Sequence, residues 1–317
     1  MPERKPIAIS LGDPAGIGPE IVARALADRP NVSLLVFGDE GVLARAAKAA
    51  GVPTPATGRI RAVTSLRSDE VTPGQPNDAS GRAQLAYLTA ATDAALAGDV
   101  SALVTAPISK AWIGRAGFEF PGHTEYLASR AGVREFAMML AGPTLRVTVA
   151  TTHIPLRDVP RLLTADGIAS TIWLTAEALA RRFGIAAPRI AVAGLNPHAG
   201  EAGRFGDEEE RVVKPAIEKA RARIGASGFP ATISGPLVPD SVFRQAAHGE
   251  FDAVVALYHD QGLIPLKLLH FDDGVNLTLG LPFVRTSPDH GTAYDIAGSG
   301  RARAQSFLAA FDLATCI

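Results

Sequence analysis

Apolar side chains gather in short runs at residues 7–11, 34–37, 102–105, 145–150, 190–193, 253–257 and 275–279. Segments of helical period lie between several of them. Together they predict strands alternating with helices, as in an α/β fold with a largely parallel or mixed sheet. Two helices are well marked. Ile168, Ile172, Leu179 and Phe183 share one face of the first, which stops at Gly184. The second is predicted to start near Asp207, with Glu210 three residues on as a capping box, and to carry Val213, Ile217, Ala220 and Ile224 before Gly225. A third, alanine-rich helix is expected over residues 82–97, and the polar stretch at 64–80 reads as a surface loop. No repeat of fixed period and no low-complexity linker interrupts this order.

Composition narrows the partners. Lys and Arg number 31 against 32 Asp and Glu, so there is no basic field for nucleic acid and no polybasic patch for a membrane. No apolar run approaches membrane-spanning length, and the first residues lead into a strand-like segment without the apolar core of a signal peptide. The single cysteine, Cys316, can form neither an intrachain disulfide nor a thiolate metal site by itself. These features predict a soluble, cytoplasmic protein with a small-molecule partner, and a chain of 317 residues is long enough for two domains.

The candidate chemistry lies in the histidines. Three of the seven follow a strand-like run: His153 after 145–150, His198 after 190–193 and His259 after 253–257. A lone histidine is more often a hydrogen-bonded structural residue than a ligand. Three at the carboxyl ends of strands weigh more, because open α/β sheets bind ligands in the crevice beyond those ends. Neutral imidazoles there suit zinc or another first-row divalent ion with a coordination position left for substrate. His123 and His290 lie in loops of similar composition.

Three familiar motifs are excluded. Gly16-Ile17-Gly18 follows the first strand and Asp39 ends the second, but Ile21 replaces the third glycine of a dinucleotide fingerprint, and Pro19 and Glu20 would crowd a pyrophosphate. Gly298-Ser299-Gly300 is weaker still, and no Gly-Lys-Ser/Thr phosphate loop or Gly-x-Ser-x-Gly elbow occurs.

The first of these segments, Gly12-Asp13-Pro14-Ala15-Gly16-Ile17-Gly18-Pro19-Glu20, belongs to a longer series. It continues with Thr105-Ala106-Pro107-Ile108-Ser109-Lys110, Pro121-Gly122-His123-Thr124-Glu125, Thr151-Thr152-His153-Ile154-Pro155-Leu156-Arg157 and Gly194-Leu195-Asn196-Pro197-His198-Ala199-Gly200-Glu201. It closes with Tyr258-His259-Asp260-Gln261-Gly262 and Arg285-Thr286-Ser287-Pro288-Asp289-His290-Gly291-Thr292-Ala293. From end to end the series resembles the 4-hydroxythreonine-4-phosphate dehydrogenase family.

The resemblance implies a homodimer of the isocitrate and isopropylmalate dehydrogenase type of fold, with two α/β/α domains and a cleft between them. Residues 1–128 with 272–317 would form the cofactor-side domain, and residues 129–271 the domain carrying the metal-ligand histidines and the dimer interface. The family's reaction oxidises 4-phosphooxy-threonine with NAD or NADP, and the keto product loses carbon dioxide. Its three metal-ligating histidines match His153, His198 and His259. Zinc is expected first, with magnesium, manganese and cobalt as alternatives, and ligands from two chains could complete each site. Its substrate contacts match His123, Thr124, Lys267, Asn276 and Arg285. The segment at 290–298 looks like the adenosine-binding segment of isopropylmalate dehydrogenases. That assigns His290, Gly291 and Asp295 to the cofactor, with Asp295 on the ribose favouring NAD over NADP.

Within this reading Arg285 suits bidentate binding of a carboxylate or phosphate, and Lys267 offers either a point charge or, as a catalytic group, a proton acceptor. Lys110 is a candidate phosphate contact or an ordinary surface lysine, and Asp260 either orients an imidazole or caps a turn. Relatives acting on threonate or erythronate phosphate or on cis-dihydrodiol carboxylates share the same chemistry. A non-redox metal-dependent transferase or a binding protein is the alternative from another class.

Overall fold

The computed structural model describes residues 5–67 and 69–317 and divides into two compact units, Met1–Arg134 with Leu281–Cys316, and Glu135–Gly280. The loop expected at 64–80 includes Ser68, which lies outside the described residues; its last residues already belong to a helix.

The first unit starts with β1 (Ile7–Ser10), α1 (Gly18–Asp28), β2 (Leu34–Gly38), α2 (Glu40–Ala50) and β3 (Ile60–Ala62). It continues through α3 (Asp78–Leu96), β4 (Ala102–Thr105), α4 (Lys110–Arg115) and α5 (His123–Arg130). In the second unit β5 (Ala137–Ala141), β6 (Arg146–Val149), α6 (Val159–Leu162), α7 (Ala165–Arg181) and β7 (Arg189–Ala193) come first. Then follow α8 (Lys214–Gly225), β8 (Thr232–Leu237), α9 (Pro239–Ala247), β9 (Ala253–Ala256), α10 (His259–Leu269) and β10 (Val275–Leu279). The chain returns to the first unit with β11 (Val284–Pro288) and α11 (Gln305–Cys316).

All strands of the first unit run parallel in the order β3-β2-β1-β4-β11, with Ile7 beside both Leu34 and Ala102, and Val284 beside Ala102. Every residue of β1, β4 and β11 is buried, which requires cover on both faces of the sheet. Helix α3 supplies part of it, bringing Leu88 and Ala91 against Phe37, Leu103 and Ile113. Asn77 caps that helix by accepting from Ser80 N at 2.9 Å, while Ser80 Oγ accepts from Asn77 N.

The second unit orders its strands β10-β5-β6-β9-β7-β8. β6, β9, β7 and β8 are mutually parallel, and β5 runs antiparallel between β10 and β6. Its core joins Val147, Val149, Ala191, Val254 and Ala256 from the sheet to Val242, Phe243, Leu263 and Leu266 from α9 and α10. The mixed α/β architecture is thus as expected, and all seven apolar runs lie on strands.

One helix start differs from expectation. Glu209–Val213 form a π-turn leading into α8, and no side chain caps it. Glu210 pairs with Lys214 rather than reaching back toward Asp207. The wider turn lets Glu209 point inward, where it is 2 % exposed.

Among the described residues no helix is long and apolar enough to cross a membrane.

Candidate active site

In the second unit the three expected metal ligands follow the carboxyl ends of neighbouring parallel strands, in the spatial order β6 (His153), β9 (His259), β7 (His198). Backbone and side-chain hydrogen bonds tie these strand ends together. Ala150 N donates to Ala256 O at 2.8 Å, and Thr151 Oγ1 to Leu257 O at 2.7 Å. Gln261 accepts from Leu257 N and donates to Gly194 O, both at 2.7 Å, so one buried amide joins the loop before His259 to the loop before His198. Nothing in the sequence pattern singled out Gln261; only its neighbour His259 marked the segment.

His153 and His259 approach with ring centroids 5.5 Å apart and line a cavity of about 180 Å³ with Thr152, Tyr258 and Asp260. Asp260 Oδ1 lies 2.7 Å from His259 Nδ1, a contact that favours the orienting role over the turn-capping one and leaves Nε2 as the nitrogen that would face a ligand. His198 does not line this cavity; its ring stacks near Phe205 at 6.1 Å. Among the described residues no three His, Cys, Asp or Glu side chains are grouped to hold a metal ion. One chain therefore assembles two of the three expected imidazoles and not the full set. The pair fits a nitrogen-preferring ion, since imidazole suits zinc and its first-row neighbours whereas magnesium prefers an all-oxygen shell.

His198 sits in an unusual backbone. His198, Ala199, Gly200, Glu201, Ala202 and Gly203 all have positive φ, from 42° to 91°. Glu209 anchors the approach to this turn, accepting from Leu195 N at 2.8 Å and Asn196 N at 2.7 Å, with Asn196 Nδ2 at 3.0 Å on its other oxygen. Gly194 and Gly200 are required here, because a Cβ would stand 3.2 Å and 2.7 Å from the same carboxylate.

Lys267 lies in the last turn of α10, half-buried, and does not line the His153–His259 cavity. Asn276 lies on β10 beside Leu140, and its Oδ1 is buried with no hydrogen-bond partner, as suits an acceptor kept for a ligand.

The first unit holds a second cavity, of about 250 Å³, lined among others by Thr105, Lys110, Gly122, His123, Ser287 and His290. The end of β4, the starts of α4 and α5 and the residues after β11 meet there. Lys110 opens α4, exposed, at its rim. His123 and Thr124 open α5, both half-buried. The Nε2 of His123 is buried with no hydrogen-bond partner. Burial, followed by the charges of Arg285 and Lys110, holds its imidazole well below the usual 6.5, so it is neutral at physiological pH.

Arg285 is 3 % exposed in the middle of β11 and donates from Nη2 to Thr105 Oγ1 at 2.6 Å. Burial brings its guanidinium down to about 10, partly countered by Glu125, and it remains a cation at neutral pH. His290 and Gly291 line the cavity and are exposed; Asp295 is exposed but lies outside the lining.

A cationic cavity in one unit and a pair of imidazoles at strand ends in the other define an α/β protein equipped for anionic substrates. Crystal structures of that class resemble it throughout. The 4-hydroxythreonine-4-phosphate dehydrogenase from Klebsiella pneumoniae is 42 % identical, with a TM-score of 0.86 and 98 % of each chain covered. The terephthalate 1,2-cis-dihydrodiol dehydrogenase from Burkholderia xenovorans is 33 % identical, with a TM-score of 0.71, covering 99 % of this chain and 98 % of that one. Among curated sequences, the 4-hydroxythreonine-4-phosphate dehydrogenase of Desulfosudis oleivorans is 54 % identical over 99 % of this chain and 96 % of its own. The model of the family described as pyridoxal phosphate biosynthetic protein PdxA matches residues 31–314, and the chain belongs to that family.

Proposed function

We propose that this protein oxidises 4-hydroxythreonine 4-phosphate with NAD or NADP to a 3-keto acid, which loses carbon dioxide to give 3-amino-2-oxopropyl phosphate for pyridoxal 5′-phosphate. The observation that carries the reading is the His153–His259 pair, with Asp260 on His259, at the ends of adjacent parallel strands. It is supported by relatives that bear the dehydrogenase name across nearly the whole chain.

His153, His198 and His259 are assigned to a divalent ion, zinc first and magnesium, manganese or cobalt as alternatives. That ion would supply positive charge beside the reacting oxygen. Arg285 and Lys110 bind the anionic ends of the substrate, and His123, held neutral, can donate or accept a hydrogen bond without adding charge. Thr124 and Asn276 are assigned to substrate hydrogen bonds. Lys267 is assigned as proton acceptor, with anion contact as its other role; a loss of kcat at unchanged substrate KM in Lys267→Met selects the first, and a raised KM at unchanged kcat the second. His290, Gly291 and Asp295 are assigned to the cofactor, Asp295 favouring NAD because a carboxylate repels a 2′-phosphate.

The unit containing both chain ends would be the cofactor side, and Glu135–Gly280 the metal side and dimer interface. Two features support a homodimer of this cytoplasmic enzyme. Ile264 and Leu268 on one face of α10, with Phe271, Leu156 and Leu162, are large apolar side chains left exposed in the second unit. His198 also stands apart from the other two imidazoles, and a second copy could supply the missing one.

NADH formation with 4-hydroxythreonine 4-phosphate, threonate and erythronate phosphates and a cis-dihydrodiol carboxylate, with and without chelator, tests the reading. Turnover confined to the first substrate and abolished by chelator is expected. Preferred turnover of the dihydrodiol would select the Burkholderia-type activity, and no reduction with any substrate would overturn the redox reading.

A further inference from the structure

The segment Gly12-Asp13-Pro14-Ala15-Gly16-Ile17-Gly18-Pro19-Glu20 is buried from end to end, yet none of its residues is claimed by the assignments above. Asp13 is fully buried and Glu20 is 1 % exposed. Two buried carboxylates need a reason, because desolvating such a group is costly unless donors surround it. Each accepts from the segment at 292–300. Asp13 Oδ2 accepts from Tyr294 Oη at 2.5 Å, and the carboxylate of Glu20 accepts from Gly298 N on one oxygen and from Gly300 N, at 3.1 Å, on the other.

The backbone repeats the pattern. Ile17 N donates to Thr292 O at 2.9 Å, and Gly16 is without a side chain where a Cβ would stand 2.9 Å from that carbonyl. Arg24, one turn into α1 from Glu20, donates to Gly300 O at 2.6 Å. The segment at 292–300 is thus held at Thr292, Tyr294, Gly298 and Gly300, while His290, Gly291 and Asp295 stay exposed. A second branch leaves Asp13 toward the cavity of the same unit. Gln84 Nε2 donates to Asp13 Oδ2 at 3.1 Å, and Gln84 Oε1 accepts from Ser109 N, the residue before Lys110, at 2.8 Å.

We infer that Asp13 and Glu20 are positioning residues for the dinucleotide: they fix the 292–300 segment in the shape that presents His290 and Asp295 to it, and Asp13 sets the Ser109–Lys110 corner in register through Gln84. The inference rests on the assignment of His290 and Asp295 to the cofactor. It gives the glycine-rich stretch after β1 a task other than wrapping phosphates, namely packing close beneath the segment that touches the ligand.

Three variants test it: Tyr294→Phe, which removes only the hydroxyl on Asp13; Glu20→Gln, which removes one of two acceptors; and Asp295→Ala as the reference for the cofactor assignment. NADH affinity is read by fluorescence titration of the free enzyme, alongside substrate KM, kcat at saturating NAD, urea midpoint and hydrogen exchange at Gly298 and Gly300. Loss of one charge-assisted hydrogen bond should raise the NADH Kd by on the order of tenfold in Tyr294→Phe and Glu20→Gln. Substrate KM and kcat should move by no more than about twofold on the same scale. Exchange at the two glycine amides should quicken in Glu20→Gln.

If Asp295→Ala weakens NADH while the other two do not, the positioning role is overturned and the cofactor assignment stands. If Asp295→Ala leaves NADH affinity intact, both fall together. A lower urea midpoint with unchanged NADH affinity, or equal rises in NADH Kd and substrate KM, would make the contacts merely structural and likewise overturn the inference.

Discussion

Truncating Glu209 to alanine should loosen the turn that carries His198. The carboxylate is 2 % exposed and accepts from Leu195 N, Asn196 N and Asn196 Nδ2. Removing it leaves two backbone donors unsatisfied, at about 1–3 kcal/mol each, so the native arrangement loses about 2–6 kcal/mol. The turn is poorly able to bear that loss. His198, Ala199, Glu201 and Ala202 are non-glycine residues at positive φ, each costing about 1 kcal/mol or more. The turn should therefore relax locally before the unit unfolds. The urea midpoint then records only part of the cost, and the remainder appears as weakened metal binding through His198. Chemical unfolding of the metal-free protein and zinc calorimetry, wild type against Glu209→Ala, measure the two parts. A stability change under about 0.5 kcal/mol together with zinc affinity within about twofold would refute the reasoning, since it would mean the carboxylate does not hold the turn.

The remaining expectations concern single side chains. Asp260→Asn should lower zinc affinity by about 10–100-fold by releasing His259 Nδ1, and unchanged calorimetry would exclude the orienting role. Arg285→Lys should raise the KM for a phosphorylated substrate by about tenfold or more, leaving NADH affinity alone, because an ammonium cannot reproduce the planar fork that Thr105 steadies. His123 has a folded pKa depressed below 6.5, so protons favour the unfolded chain. Its contribution is fully present above about pH 6.5 and is lost as the pH falls from there toward the folded value, with a limiting slope of about 1.4 kcal/mol per pH unit. Urea unfolding of His123→Gln should be correspondingly less pH-dependent between about pH 6.5 and 5, and identical slopes would deny the neutral assignment.

The apolar strands were legible because each is buried on both faces and carries little else. Four others were not. β11 reads Val284-Arg285-Thr286-Ser287-Pro288, which is polar by composition, yet all five residues are buried; Arg285 is bonded to Thr105, and Thr286 Oγ1 donates to Ala310 O. β8 contains Gly235-Pro236, which breaks any alternation, and β3 spans three residues at a sheet edge. β5 is an apolar run that was not among those marking strands.

The same division holds in the candidate site. Histidines after strands are visible from spacing, whereas Asp13, Glu20 and Glu209 act on backbone amides or a tyrosine brought close by the fold, and local pattern carries no trace of that. The separation of His198 from the other two imidazoles was equally hidden. Spacing tells which strand a residue follows, but it does not give the direction of a turn with six consecutive positive φ values.

The first unit is closed by β11 and α11. β11 lies beside β4, and α11 packs on both of them. During synthesis the second unit is complete once Gly280 has emerged, whereas the outer edge of β4 still lacks its partner within the unit. A ribosome pausing between these points would hold a chain with one finished core and one open β edge, which is the form most exposed to mispairing and proteolysis. Maturation of the first unit, and with it resistance to degradation, is thereby tied to β11 and α11.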